Sequence, residues 1–209
     1  MNITIIGASA GVGLETVKRS LDRQHTVTTL SRSDISLPSH PQLITLKGSA
    51  TNKADLKKSL EKADAVIVAL GTGKSMKATT LYSDFARLLT SIQQETPTNI
   101  PFVVLTGFGA GESGAYHSFL MGLVFKFMLK DVYADKTRME EIIAQSTLRW
   151  VIARPGVLTN KPLTEKYREE TKLYKGINIG SISRADVADF LVKQAENPTY
   201  LHQYCSLAQ

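Results

Sequence analysis

The chain opens with "NITIIGASAGVG", a strand-like apolar run that leads into glycines at positions 7, 11 and 13. Residues 11–24 follow with Val12, Leu14, Val17 and Leu21 on one helical face. A glycine-rich turn between a strand and an amphipathic helix is the entry to a β-α-β unit, and few folds begin that way. In that setting Gly7 turns the chain sharply off the strand, Gly11 lets the backbone approach a phosphate, and Gly13 lets the helix pack close to the sheet. N–H groups at the helix start then bind phosphate oxygens, and Ser9 adds a hydroxyl. The spacing is neither G-x-G-x-x-G nor a Walker A loop. It reads as a dinucleotide pyrophosphate site at Gly7, Ala8, Ser9, Gly11, Val12 and Gly13.

The rest of the chain repeats the alternation. "HTVTTLSR", "QLITLKG", "ADAVIVALG" (63–71), "IPFVVLTG" (100–107) and "LRWVIARPG" (148–156) read as strands, and "YCSLAQ" as a short closing one. Helices are expected over 53–63, about 77–95, about 116–146 with an interruption near Lys130-Asp131, and 183–197 behind a serine cap. A Gly-rich loop covers 107–114, and 157–182 reads as irregular with a short helix near 163–174. Four strands are nearly unbroken apolar runs, as in a parallel sheet covered on both faces. The fold class is therefore α/β: a Rossmann-type, doubly wound, mostly parallel sheet with helices on both faces. One domain over 1–209 is expected, with a small substrate region at about 157–182. Ligands of such sheets sit at strand carboxyl ends. That directs attention to Ser31-Arg32-Ser33, Ala69-Leu70-Gly71, Thr106-Gly107 and Pro155-Gly156-Val157.

Composition narrows the function classes. The net charge of +6 is spread along the chain among acids, with no basic stripe, so a nucleic-acid partner is not expected. The longest apolar patch, Phe119 to Leu129, is too short to span a bilayer and carries Lys126. No signal-peptide pattern precedes the first strand, and Cys205 stands alone, so a cytoplasmic chain is the expectation. No His/Cys/Asp cluster has metal-ligand spacing, and there is no GxSxG elbow for a Ser-His-Asp hydrolase. "GTGKS" at 71–75 resembles the tail of a Walker A loop, but the position that needs the first glycine is Val68, inside a strand.

The second strand end carries cofactor choice. An NAD site usually places Asp or Glu there for the ribose 2′-hydroxyl. Here Leu30-Ser31-Arg32-Ser33 stands instead, and Asp34 comes late. An arginine with flanking serines suits a 2′-phosphate, so NADP(H) is expected over NAD(H).

The segments "TIIGASAGVGLETVKRSL", "TLSRS", "ADAVIVALGT", "VVLTG", "DKTRMEEIIAQSTLRWVIARPGVL" and "ISRADVADFLVKQAENP" resemble, in this order, the short-chain dehydrogenase/reductase superfamily. The likeness covers nearly the whole chain and looks like the atypical branch of NmrA-like proteins and biliverdin-IXβ reductase/flavin reductase. The stretch ending "RPGVLTNKPLT" is especially similar to the flavin reductase group. The resemblance implies a Tyr-x-x-x-Lys pair, yet no tyrosine here has lysine four residues on. Lys136 matches the family lysine and is expected to position the nicotinamide ribose. Val132 stands where the tyrosine should, with Tyr133 one residue late. The serine expected after the fifth strand is replaced by Thr106-Gly107-Phe108, which leaves Thr106 as a catalytic candidate. The expected activity is NADPH-dependent reduction of a flat conjugated acceptor (flavin, quinone or bilin-like) by direct hydride transfer. Phe108, Tyr116 and His117 are the candidates to line its site. The alternative is a non-catalytic NADP(H)-binding regulator of NmrA type; a sugar-nucleotide epimerase ranks third. The chain is expected to be a monomer or homodimer.

Overall fold

In the computed structural model, residues 1–73, 78–116 and 129–209 are described. The central sheet has eight strands in the order β3-β2-β1-β4-β5-β6-β10-β8. These are β1 (Asn2–Ile6), β2 (Thr26–Ser31), β3 (Leu43–Lys47), β4 (Ala65–Val68), β5 (Pro101–Leu105), β6 (Arg149–Pro155), β8 (Arg168–Glu170) and β10 (Gln203–Ala208). All pairings are parallel except that of β8 with β10. From β1 the chain winds outward to β2 and β3, then crosses back to β4 on the other side. The carboxyl ends of β1 and β4 therefore part to leave a crevice.

Period-2 alternation explains why the strands are apolar throughout. Ile3 and Ile5 of β1, Ala65 and Ile67 of β4, and Val103 and Leu105 of β5 join one buried cluster, beneath α1 (Gly11–Asp22) and α5 (Arg184–Glu196). Ile6, Val66, Val68, Phe102 and Val104 point to the other face, beneath α3 (Leu81–Glu95) and α4 (Lys130–Ala144). Thr4 is the polar exception in β1; its hydroxyl donates to the Ser59 carbonyl at 2.7 Å, in α2 (Lys53–Leu60). Helix starts are satisfied locally or from a neighbour. The Ser183 hydroxyl accepts the Asp186 N–H of α5 at 2.9 Å. Thr80 provides no side-chain cap for α3, so the buried Asp135 carboxylate of α4 accepts the Tyr82 N–H at 2.9 Å instead.

The short helix expected near 163–174 is corrected by the structure. Residues 168–170 form β8, paired antiparallel with the free edge of β10 through Ser206–Glu170, Leu207–Glu169 and Ala208–Arg168. Its composition favours helix, but the open sheet edge offers backbone partners that outweigh propensity. Nearby, β7 (Val157–Thr159) and β9 (Ser181–Ser183) form a separate two-stranded parallel sheet. The third helix starts at Leu81 rather than near 77. Most of the 116–129 segment lies outside the described residues, and no helix among those described is long and apolar enough to cross a membrane.

Candidate functional site

The crevice forms a cavity of about 710 Å³. The turn after β1 makes its floor. Gly7 adopts φ +88° and donates its N–H to the Leu30 carbonyl at 2.9 Å. A Cβ there would stand 2.5 Å from the Ala69 carbonyl oxygen. A Cβ on Gly13 would come within 2.1 Å of the Gly7 carbonyl oxygen, so only glycine lets α1 seat on the turn. Gly11 differs: at φ +57° a built Cβ would make only an ordinary contact, 3.9 Å from Arg184 Nε. Ala10 offers no side-chain cap, and the first turn of α1 holds no acid. Its orphan N–H groups therefore face the cavity with a positive dipole end and no competing anion. This cradle fits a pyrophosphate. Ser9, Gly11 and Val12 line the cavity, whereas Ala8 and Gly13 are buried packing positions because the turn folds them inward.

At the end of β2, Ser31, Arg32 and Ser33 line the same cavity. The Ser31 hydroxyl is turned into its own loop, donating to the Ser33 carbonyl at 2.8 Å. Arg32 is exposed, and no described residue ion-pairs with it. The nearby acid, Asp34, is held by Lys47 at 3.0 Å. A free guanidinium with its neighbouring acid engaged elsewhere suits an added phosphate. Ala69, Leu70 and Gly71 line the opposite wall.

A second cavity of about 1370 Å³ opens beyond, and the two meet at Thr106, Leu129, Tyr133, Lys136, Pro155, Leu158 and Arg184. Lys136 donates from Nζ to the Thr106 carbonyl at 2.7 Å and lies 4.8 Å from the centroid of the Tyr133 ring. Burial pulls its pKa down to about 8, against the attraction of Glu140. The Thr106 hydroxyl points inward and donates to Glu140 Oε1 at 2.6 Å. Thr106 thus meets the cavities through its backbone, which leaves its expected catalytic hydroxyl in an ionic cluster below. There Arg154, 1% exposed, bonds Glu140 through Nε at 3.0 Å and Nη2 at 2.7 Å. The same guanidinium reaches Glu112 at 2.8 Å, in the 3-10 turn Gly111–Tyr116.

Phe108 and Tyr116 line the larger cavity, with Ile177 and Ile179 in the same apolar cluster. Gly107, Gly156 and Val157, to which the strand-end rule directed attention, line this cavity and not the smaller one. The chain turns outward after β5 and β6: Gly156 packs under Gly180, and the Val157 N–H bonds the Gly180 carbonyl at 2.9 Å. His117 lies outside the described residues.

Sequence reasoning set Tyr133 aside and passed over Tyr82, Arg184 and the Ser49–Thr51 loop, all of which line the smaller cavity. Val132 is indeed buried in the core, 6% exposed. Tyr133, one step round the helix, still reaches the junction: a Cβ on Gly107 would stand 2.6 Å from its hydroxyl. Glycine at 107 was the signal that room is kept there. Burial pushes the Tyr133 phenol up to about 12.

A family model described as NAD(P)H-binding matches residues 7–198. Among solved structures, the chain is similar to anaerobilin reductase ChuY from Escherichia coli O157:H7, with 21% identity, 100% of this chain and 97% of that one covered, and a TM-score of 0.77. It is similar to a short-chain dehydrogenase/reductase from Veillonella parvula in complex with NADP, with 18% identity, 100% and 94% covered, and a TM-score of 0.81. A Streptococcus pneumoniae protein assigned, by name only, as an NADH-flavin reductase gives 22% identity, 100% and 99% covered, and 0.79. At these identities the likeness bears on the fold.

Proposed function

The chain belongs to the NAD(P)H-binding family, and from that premise we propose that it is an NADPH-dependent reductase of a flat conjugated acceptor, such as a flavin, quinone or bilin-like compound. The bound nicotinamide would supply the hydride. The smaller cavity takes the dinucleotide: the turn at Gly7–Gly13 holds the pyrophosphate, Arg32 the 2′-phosphate, and Lys136 the nicotinamide ribose. The larger cavity, walled by Phe108, Tyr116, Ile177 and Ile179, takes the acceptor.

The observation that carries the reading is the junction. Among the described residues that line both cavities the one phenol is Tyr133, whose ring centroid is 4.8 Å from Lys136 Nζ, yet burial raises its pKa to about 12 instead of lowering it. A general acid works best with a pKa near the operating pH, so Tyr133 is a poor proton donor. Reduction of a simple carbonyl needs such a donor; a conjugated acceptor spreads the incoming charge and takes its proton from water. Names of similar proteins, anaerobilin reductase and NADH-flavin reductase, agree with that acceptor class.

The test is NADPH oxidation followed with FMN, a quinone or biliverdin as acceptor. Turnover is expected with at least one, and Tyr133→Phe should keep it within about threefold. A loss of more than roughly hundredfold in that variant would overturn the acid-free mechanism. Tight NADPH binding without turnover on any acceptor would favour the NmrA-type regulator.

Cofactor choice is tested separately. Arg32→Ala is expected to weaken NADPH by roughly ten- to a hundredfold, the worth of one charge-assisted hydrogen bond, and to leave NADH nearly unchanged. Equal weakening of both would remove Arg32 from the 2′-phosphate site.

A further inference from the structure

We propose that Arg184 clamps the cofactor pyrophosphate from the side opposite the glycine-rich turn, and so ties cofactor binding to the β7–β9 cover of the acceptor cavity. The proposal rests on the reading that the smaller cavity takes NAD(P)H.

Arg184 is the first residue of α5, the helix capped by Ser183. Helix α5 packs beside α1 on one face of the sheet, and the Arg184 side chain reaches the crevice from there. Nε lies 3.9 Å from where a Cβ on Gly11 would stand, so the guanidinium faces the uncapped start of α1. It is also one of the few residues that line both cavities. The half-buried side chain has been pinned rather than left loose. Nη1 donates to Asn160 Oδ1 at 2.7 Å, just past β7, and to the Leu158 carbonyl at 3.4 Å, within it.

Those acceptors leave the guanidinium with donors to spare, and none of them neutralises its charge. No described carboxylate pairs with Arg184. The nearest acid in sequence, Asp186, is turned away. Its carboxylate accepts from the Ser183 hydroxyl at 2.8 Å, the Thr164 N–H at 2.8 Å and the Glu165 N–H at 2.9 Å. A fixed, uncompensated cation therefore faces a helix start that also attracts anions. The group that both would meet is the charged linkage at the middle of a dinucleotide. A role confined to holding β7 would not require an unpaired charge on the crevice side.

The arrangement predicts a separation between Arg184 and Arg32. Arg32 reads the 2′-phosphate and should discriminate NADPH from NADH. Arg184 reads a group that both cofactors carry.

The experiment is equilibrium binding to the full chain, by fluorescence titration with NADPH and NADH and by competition with 2′-AMP, which has no pyrophosphate. Arg184→Met is expected to weaken NADPH and NADH alike, by roughly ten- to a hundredfold, and to leave 2′-AMP unchanged. Arg184→Lys should restore part of the loss as a point charge without the planar fork. Unchanged NADPH affinity in Arg184→Met, or an equal loss for 2′-AMP, would overturn the clamp. Failure of the wild-type chain to bind either dinucleotide would overturn the cofactor reading itself, a result visible before any variant is made.

Discussion

Gly13→Ala should abolish dinucleotide binding, with at least a roughly hundredfold rise in NADPH dissociation constant, and should lower the melting midpoint by about 5–10 °C. The added methyl would meet the Gly7 carbonyl oxygen at 2.1 Å, and neither partner is a flexible side-chain tip. Relief requires α1 to lift off the turn, which moves the N–H groups that face the crevice. Gly11→Ala is the control inside the same motif. Its methyl would meet only Arg184 Nε, at an ordinary contact distance of 3.9 Å, so the cost is the strain of φ +57°, about 1 kcal/mol. Thermal melts and NADPH titrations of the two variants separate helix seating from backbone strain. Equal effects would show that the close approach at Gly13 is not what holds the turn.

Lys136→Met should lower kcat/KM by about a hundredfold and, more tellingly, remove a pH dependence. In the folded chain burial holds the Lys136 ammonium near a pKa of about 8, below its ordinary value of 10.5. Cofactor-dependent activity should therefore decline as pH rises through about 8, where the cation over the Thr106 carbonyl is lost. Stability runs the other way. The unfolded chain binds more protons than the folded one between about 8 and 10.5, so unfolding free energy rises with pH in that window. Opposite slopes of activity and stability over one pH range are the signature of this single group. Both should flatten in Lys136→Met. An activity decline that persists in the variant would assign the titration to another residue.

The sheet was legible because its strands are buried on both faces and show as apolar runs, and the turn because its glycines sit between a strand and a helix. What escaped was set by tertiary geometry. Residues 168–170 carry helix-forming side chains, and only the open edge of β10 makes them a strand. Tyr133 was set aside on a spacing rule, because one step along a helix is about 100°. The rule puts Val132 in the tyrosine's place, and Val132 is buried at the wall of the smaller cavity, but a tyrosine is long enough to reach the junction from the adjacent position. Arg184 carried only a helix-start signal, and nothing local shows that packing of α5 beside α1 brings its side chain to the first glycine turn. The Thr106 hydroxyl is spent on Glu140, a partner 34 residues away that no local motif names.

The buried Arg154 has a consequence for how such a chain could change its acceptor. Lys136 holds the Thr106 carbonyl, the Thr106 hydroxyl holds Glu140, Glu140 holds Arg154, and Arg154 holds Glu112 on the lip beside Tyr116. A substitution on that lip is felt at the lysine through a run of short, directional contacts. Among the described contacts the β7–β9 cover has no such tie to Lys136; it meets the junction through Leu158 and through Arg184 at its base. On the proposed reading, a change in the cover would alter the acceptor without disturbing that run of contacts, whereas a change in the lip would not.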